Sequence, residues 1–298
     1  MNMTYLFHAG KNILAKKVSF LYLLLTGKAK KIDFFIIGAQ KSGTTTLFAY
    51  LYKHPDCIGT TGKESLLFTK ANYKDPTATK IQASFAGKKL FKSNRKLLFF
   101  EATPANVYLK ECPERLWRHN PKARLIFLVR EPISRAFSEY NMHCLLAQKK
   151  ITIREDPDQE YLDCLKNPDK YPFSWFIEEE FRKIKETGSY LSSAFHYPDY
   201  IRRGLYSDQL ERYYHYFSPE QILILEATEL KKQKKETLYR IEDFLNISHF
   251  SWKEDELVNS NIGVYTQQIP VECKQALTLF FKSWNNKFFD MIGHRMDW

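Results

Sequence analysis

A short loop bounded by glycines is the feature that most constrains the fold of this chain. The segment DFFIIGAQKSGTTTLFAYL begins as a buried apolar run, turns between Gly38 and Gly43, and continues with helical spacing from residue 44. Glycine tolerates backbone angles that a side chain forbids, so consecutive amide groups can turn inward around an anion. The sequence therefore predicts a strand, an anion-binding loop and a helix whose N-terminus faces the anion.

Polar side chains complete this predicted cradle. Lys41 supplies a positive charge and precedes the second glycine, whereas in the nucleoside triphosphatase loop GxxxxGK[ST] the lysine follows that glycine. The loop is therefore expected to bind a phosphate group in a different way. The predicted contact residues of the loop are Gln40, Lys41, Ser42, Gly43, Thr44, Thr45 and Thr46.

Alternating strand and helix patterns predict an α/β fold. Apolar runs at residues 32–38, 96–101, 123–130 and 221–226 indicate buried strands. This alternation predicts right-handed crossovers and a P-loop-like three-layer αβα fold around a central parallel sheet of about four to five strands. We expect ligands at the carboxyl ends of those strands. Helical spacing is found at residues 44–53, 111–119, 134–147, 173–185, 207–217 and 237–245.

We expect one domain over residues 32–298, preceded by a helical segment at residues 1–31 that packs on it. Residues 148–200 are rich in aromatic and charged side chains and are broken by prolines, which indicates an insertion on the acceptor side. Residues 18–26 form an apolar run between lysines that is shorter than the ~20 residues of a bilayer span. An interfacial membrane helix and an uncleaved anchor are the alternatives to a packed helix.

Composition narrows the range of partners. The 45 basic residues outnumber the 34 acidic ones, and the formal net charge of +11 favours anionic ligands. Lysines are spread along the chain rather than gathered, which disfavours nucleic-acid binding. The five cysteines show no CxxC spacing, which indicates free thiols rather than a zinc or redox site. We therefore expect a cytoplasmic protein that is a monomer or a homodimer.

A second basic motif follows the third predicted strand. Arg130 ends that apolar run, and Ser138 lies two turns into a helix that starts with proline. A guanidinium group at a strand end is a fixed fork for a phosphate group, to which Ser138 can add a hydrogen bond. Arg135 is a third candidate donor. The alternatives are that Arg130 pairs with an acidic neighbour and that Ser138 is a solvated helix residue.

These two motifs resemble those of the sulfotransferases that use 3′-phosphoadenosine 5′-phosphosulfate (PAPS). IIGAQKSGTTTL resembles the 5′-phosphosulfate loop of the heparan-sulfate-type branch and its bacterial relatives, and RxPxxRxxSxY at residues 130–140 resembles the 3′-phosphate motif. The resemblance covers residues 33–298 except the 148–200 insertion. It implies transfer of the sulfuryl group of PAPS to a hydroxyl or an amine, with release of 3′,5′-ADP and no metal. The implied acceptor is a small molecule or a glycan.

The resemblance also implies roles for individual residues. Lys41 would stabilise the charge that grows on the leaving phosphate group. Glu64, in GKESLLF, occupies the position of the family's glutamate base. The family segments near the nucleotide also match at residues 202–217 and 261–265. The other residues that the resemblance assigns to nucleotide binding are Arg203, Tyr206, Gly263 and Tyr265.

Two other functions compete with a sulfotransferase. A P-loop kinase or nucleotidase would use Glu101, at the end of the second predicted strand, to hold magnesium. A catalytically inactive nucleotide-binding protein, attached to a membrane or free, is favoured by two departures from the family. Leu66 stands where the family often has histidine, and Ala102 stands where some glycan enzymes have lysine.

The identity of the base has its own alternatives. His143 and His196 are candidates, because the cytosolic branch of the family uses histidine in this role. The alternative interpretation of Glu64 is a surface carboxylate without a catalytic role that pairs with Lys63.

Overall fold

A five-stranded sheet forms the centre of the protein. The computed structural model describes residues 16–86, 89–92, 96–151, 159–190, 199–257 and 268–298. Neighbouring strands are all parallel and follow the order β2-β3-β1-β4-β5, which confirms the predicted α/β fold with a parallel sheet. The strands are β1 (Phe34–Gly38), β2 (Cys57–Gly59), β3 (Leu98–Ala102), β4 (Arg124–Val129) and β5 (Ile222–Glu226).

Every connection between consecutive strands carries at least one helix, as parallel pairing requires. The helices are α1 (residues 16–26), α2 (Thr44–Lys53), α3 (Ala78–Ala83), α4 (Lys89–Lys92), α5 (Ala105–Tyr108), α6 (Cys112–His119), α7 (Pro132–Gln148), α8 (Gln159–Lys166), α9 (Phe173–Thr187), α10 (Tyr206–Tyr214), α11 (Ala227–Lys232), α12 (Lys234–Leu245) and α13 (Val271–Ile292). Short 3₁₀ turns lie at Arg202–Gly204, Pro219–Gln221 and Glu254–Glu256.

Both faces of the sheet are covered by helices. Along β1 the side chains alternate: Phe34 and Ile36 pack with residues of α2 and α12, whereas Phe35 and Ile37 pack with residues of α10 and α13. Burial on both faces explains why the strands read as continuous apolar runs. The predicted three layers are therefore present.

The strand β2 was not predicted. It contains only three residues, Cys57–Gly59, and pairs with β3 at the edge of the sheet. Three residues are too few to show a period, so pairing with β3 rather than local sequence defines this strand. The 148–200 region contains an unpredicted helix, α8, which joins α7, α9 and α13 in a separate apolar cluster.

The strand order marks one position at the carboxyl edge of the sheet where a ligand is expected. The chain passes from β3 to β4, and β1 lies between these two strands. Ligands of open parallel sheets bind where the chain changes direction in this way. The glycine loop after β1 therefore lies at the expected ligand-binding point, between the ends of β3 and β4.

The helix α1 packs on α3. Leu23 is fully buried, and the side-chain amide of Gln82 donates to the carbonyl oxygens of Leu23 and Lys28. In the part of the chain that the structure describes, no helix combines the length and the apolar composition needed to cross a membrane.

A histidine links the end of α6 to the start of β1. The backbone amide of Ile32 donates to Nε2 of His119 at 2.9 Å, so this nitrogen must be unprotonated. Burial, aided by the charge of Lys31, lowers the pKa of His119 to about 4. The folded protein therefore requires the neutral form of the His119 ring.

We expect the free energy of unfolding to fall as the pH drops from about 6.5, the pKa of an unfolded histidine, towards about 4. A lowered folded-state pKa contributes stability above the unfolded value and loses it on acidification. His119→Gln keeps an oxygen acceptor for Ile32 and should reduce this loss by up to about 3 kcal/mol. Denaturant unfolding at neutral and acidic pH measures the effect, with the exposed His215→Gln as control. Equal acid sensitivity of the two variants would contradict the assignment.

Candidate active site

The glycine loop has the backbone conformation of an anion cradle. The φ angles of Gly38, Lys41 and Gly43 are all positive, at 155°, 68° and 92°. Gly43 precedes α2 without a side-chain cap, and the first turn of α2 contains no acidic residue. The amide groups at the N-terminus of an α-helix and the positive end of its dipole favour an anion, so this end of α2 is a candidate anion-binding position.

Gly38 is required at its position by packing as well as by conformation. A Cβ atom there would lie 2.5 Å from Cγ1 of Val107 and 2.9 Å from the carbonyl oxygen of Pro104. The short helix α5 therefore lies directly against the loop and supports it. The polar loop residues occupy the turn and the first turn of α2; these are Ser42, Thr44, Thr45 and Thr46.

Lys41 carries a half-buried charge in this loop. Its Nζ lies 3.3 Å from the thioether sulfur of Met142 on α7, and no described carboxylate comes within ion-pair distance. Burial is the main cause that lowers the pKa of Lys41; Glu139 opposes it, and Arg130 reinforces it. An ammonium group without a direct counter-ion is suited to bind an anion.

Arg130 is directed toward the same loop. Its guanidinium donates to the carbonyl oxygen of Lys41 at 3.3 Å, and its own carbonyl accepts from the Tyr206 hydroxyl at 2.8 Å. Within the described ranges, Arg130 forms no ion pair with an acidic residue. The alternative prediction, in which Arg130 pairs with an acidic neighbour, is therefore disfavoured. The ends of β1 and β4 thus bring two unpaired cations together.

Arg203 braces the loop from within the protein. Its guanidinium donates to the side-chain oxygen of Gln40 at 2.9 Å and to Asp199 at 2.8 Å, and it lies over the ring of Tyr108. Arg203, which was predicted to bind the nucleotide, is therefore buried and holds the side chain of Gln40 in place. Ser138 is also buried, on α7, rather than a solvated residue.

Two of the predicted contacts, Gly263 and Tyr265, lie outside the described residues, as does the alternative base His196.

Arg135 does not serve as a third donor to the loop. It is fully buried, and its two terminal nitrogens donate to Glu139 and to the carbonyl oxygen of Tyr200, each at 2.6 Å. The expectation for Arg135 was wrong because the packing of α7 turns this side chain inward. Its charge is compensated inside the protein.

Glu64 lies in a turn with an unusual backbone. Glu64 and Leu66 both have left-handed φ angles, at 63° and 54°, which side chains rarely adopt. The amide of Glu64 donates to the carbonyl oxygen of Ala102, so the turn adjoins the end of β3. Lys63 pairs with the Glu64 carboxylate at 2.7 Å, and its charge also acts on Lys41. The pairing with Lys63 is thus present, and the Lys63 charge helps to lower the pKa of Lys41 in the glycine loop.

The Glu101 carboxylate, at the end of β3, holds this turn through hydrogen bonds from Ser65. It is fully buried, and its carboxylate accepts from the amide and hydroxyl of Ser65, from the hydroxyl of Thr103 and from the side chain of Asn106. Burial raises the pKa of Glu101, and these donors act against that rise. Because both oxygens are engaged by protein donors, the magnesium role that a kinase would require is disfavoured.

His143 lies in the interior of the α7–α9 region. Its ring is fully buried, with Nδ1 at 3.4 Å from the hydroxyl of Tyr161 and 3.5 Å from that of Tyr200. Burial lowers its pKa to about 4. A ring enclosed in this way is poorly placed to receive a proton from an acceptor substrate.

Sequence reasoning missed the supporting residues of the site. Lys63 was considered only as a surface partner of Glu64, and Glu101 only as a metal ligand. The signal for Glu101 was its position at the end of an apolar strand, where a buried acid needs several donors. No local pattern marks Met142, because its contact with Lys41 spans 101 residues of sequence.

Comparison with known proteins identifies the family. A family model described as a sulfotransferase domain matches residues 31–263, which is most of the chain. The chain belongs to this sulfotransferase family. A similar curated protein is membrane-associated sulfotransferase kil1 of Dictyostelium discoideum, 25% identical over 89% of this chain and 66% of that protein. Heparan sulfate glucosamine 3-O-sulfotransferase 5 of Mus musculus is 24% identical over 88% of this chain and 72% of that protein.

A solved structure shows the same fold. The crystal structure of a sulfotransferase from Alicyclobacillus acidocaldarius matches with a TM-score of 0.58 and 22% identity, covering 89% of this chain and 97% of that chain. The predicted membership of the sulfotransferase family and the predicted fold are both confirmed. The chain spans 66% to 72% of the two curated sulfotransferases compared above, so their activities belong to longer proteins.

The packing of the loop gives a direct test. Gly38→Ala should lower the free energy of unfolding by about 2 kcal/mol or more, because the added methyl group meets a backbone oxygen and a packed side chain. Gly62→Ala is the control, since a Cβ atom there would have no neighbour within 4 Å and should change stability by less than about 0.5 kcal/mol. Denaturant unfolding of both variants measures the difference. Equal stabilities would show that α5 does not restrain the loop.

Proposed function

We propose that the chain transfers the sulfuryl group of PAPS to a hydroxyl acceptor and releases 3′,5′-ADP. The observation that carries the proposal is the convergence of Lys41 and Arg130, two cations without described ion-pair partners, on one glycine loop. A nucleotide with phosphate groups on both its 5′ and 3′ oxygens offers one anionic group to Lys41 and another to Arg130. Membership of the sulfotransferase family supports the same assignment.

In this proposal the loop binds the 5′-phosphosulfate. The amide groups of the loop and of the first turn of α2 surround its oxygens, and Lys41 lies where negative charge grows as the bond from sulfur to the 5′-phosphate oxygen breaks. Arg130 binds the 3′-phosphate, and Ser138 is the second candidate for that contact. Tyr206 fixes the backbone of Arg130, and Arg203 fixes Gln40.

The acceptor proton needs a base, and Glu64 is proposed for that role. As the acceptor oxygen forms its bond to sulfur, its proton passes to the Glu64 carboxylate, and the electron pair of the broken bond stays on the departing phosphate. Glu101 holds the left-handed turn that contains Glu64 through its contact with Ser65. Lys63 is paired with Glu64, and its positive charge acts on Lys41 in the glycine loop.

The relatives support a glycan as the first acceptor to test. Several of them are named as heparan sulfate sulfotransferases, and the net charge of +11 suits an anionic polysaccharide. A small molecule with a hydroxyl group is the alternative. Residues 148–200 are the proposed source of acceptor selectivity; this segment includes α8 and α9 and lies on the chain between α7 and α10.

Nucleotide binding can be tested by thermal shift. At 3′,5′-ADP concentrations 100-fold above its dissociation constant, the protein should gain about 2.7 kcal/mol without magnesium. Lys41→Ala and Arg130→Ala should each abolish most of the shift, whereas the exposed Lys232→Ala should retain it. Stabilisation by ATP with magnesium but not by 3′,5′-ADP would favour the kinase instead.

The role of Glu64 can be tested separately from binding. Glu64→Gln should reduce sulfuryl transfer about 10²- to 10⁴-fold, because the amide cannot accept the proton. The thermal shift with 3′,5′-ADP should persist in this variant. Glu114→Gln, at a half-buried position on α6 where the carboxylate also pairs with a basic side chain, is the matched control. Transfer of label from PAPS to a glycan acceptor is the measurement, and full activity of Glu64→Gln would remove Glu64 from the mechanism.

A further inference from the structure

The helix α1 presents an apolar face to solvent. Val18, Leu21 and Leu25 are exposed by 49%, 56% and 79% of their surface. Their i, i+3, i+7 spacing puts them on one side of the helix, opposite the buried Ser19 and Leu23. Large aliphatic side chains exposed together on one helix face indicate a surface that binds something.

The helix is held firmly in this orientation. Gln82 of α3 donates to the carbonyl oxygens of Leu23 and Lys28 at 2.9 and 2.8 Å. The rings of Tyr22 and Phe91 meet edge to face with centroids 4.8 Å apart. The inner face of α1 is therefore packed against described residues of the protein, whereas its outer face is exposed among the described residues.

A set of lysines flanks the apolar face in sequence, two at the start of α1 and three just beyond its end. All are exposed, and none forms an ion pair with a described acidic residue. No acidic residue occurs in the sequence before Asp33, so the whole segment is positively charged. We call this set the lysine collar; it consists of Lys16, Lys17, Lys28, Lys30 and Lys31.

The positive surface continues beyond the helix. Lys31 also lines a cavity of about 960 Å³ at the edge where the strands begin. Asp33 and Asp56 line the same cavity, and the Asp33 carboxylate accepts from the amide of Phe99. The basic residues therefore outnumber the acidic ones there; they are Lys31, Lys96, Lys122 and Arg124.

We infer that this face of α1, with its lysine collar, binds the surface of an anionic lipid bilayer. Aliphatic side chains enter the boundary between headgroups and acyl chains, while lysines at the rim attract the anionic headgroups. A rim of one charge sign matches a surface of uniform opposite charge better than a protein partner with mixed charges. The helix lies along the bilayer, because its other face is packed on α3.

Sedimentation of the full chain with lipid vesicles tests this inference. The chain should partition at least tenfold more onto vesicles of phosphatidylcholine mixed with phosphatidylglycerol than onto phosphatidylcholine alone, and high salt should weaken the binding. Leu21→Glu/Leu25→Glu should lower partitioning at least tenfold. The matched control is Val271→Glu/Leu279→Glu, which changes two aliphatic residues of α13 that are exposed by 65% and 70%.

The lysine collar has a test of its own. Lys28→Gln/Lys30→Gln should lower partitioning onto anionic vesicles by about 25-fold, at about fivefold per lysine near an anionic surface. Lys231→Gln/Lys232→Gln, exposed on α11, should leave it unchanged. Circular dichroism and thermal unfolding verify that each variant is folded, as expected for changes at exposed positions.

Three outcomes would overturn the inference. The chain could fail to sediment with anionic vesicles, or it could bind neutral and anionic vesicles equally. Alternatively, light scattering could reveal dimers that Leu21→Glu/Leu25→Glu converts to monomers, in which case a second copy covers this face.

Discussion

The parallel pairing of β4 with β1 is the constraint on which the candidate site depends. It sets the end of β4 beside the glycine loop, so that the Arg130 guanidinium reaches the carbonyl oxygen of Lys41. Two cations without described counter-ions repel each other more strongly in a half-buried crevice than in water. A bound anion relieves that repulsion, so this part of the fold favours an anionic ligand.

Behind the loop, a buried charge network connects it to the α7–α9 region. Burial alone would raise the pKa of Glu139, but the guanidiniums of Arg135 and Arg203 outweigh that effect and lower it. Arg203 continues the network to Asp199 and to the side chain of Gln40 in the loop. Removing one partner of such a network leaves an uncompensated buried charge, so its members position the loop collectively.

Much of the fold and part of the site could be predicted from local residues. The strand, glycine loop and helix at residues 34–53 follow from neighbouring side chains, and α2 begins and ends at the predicted residues. β2 could not be predicted, because its three residues become a strand only by pairing with β3. The Glu101 contacts could not be predicted either, because Ser65 is 36 residues away in sequence.

The sequence by itself determined the chemistry of the loop and its backbone, because glycines, hydroxyl groups and a lysine in one turn act through their chain neighbours. Tertiary structure alone decided that Arg135 does not face the loop. Arg130 and Arg135 carry the same group five residues apart, yet Glu139 and Tyr200 bind Arg135 inside the protein while Arg130 remains at the end of β4. That choice depends on how α7 packs against distant residues, which no local pattern records.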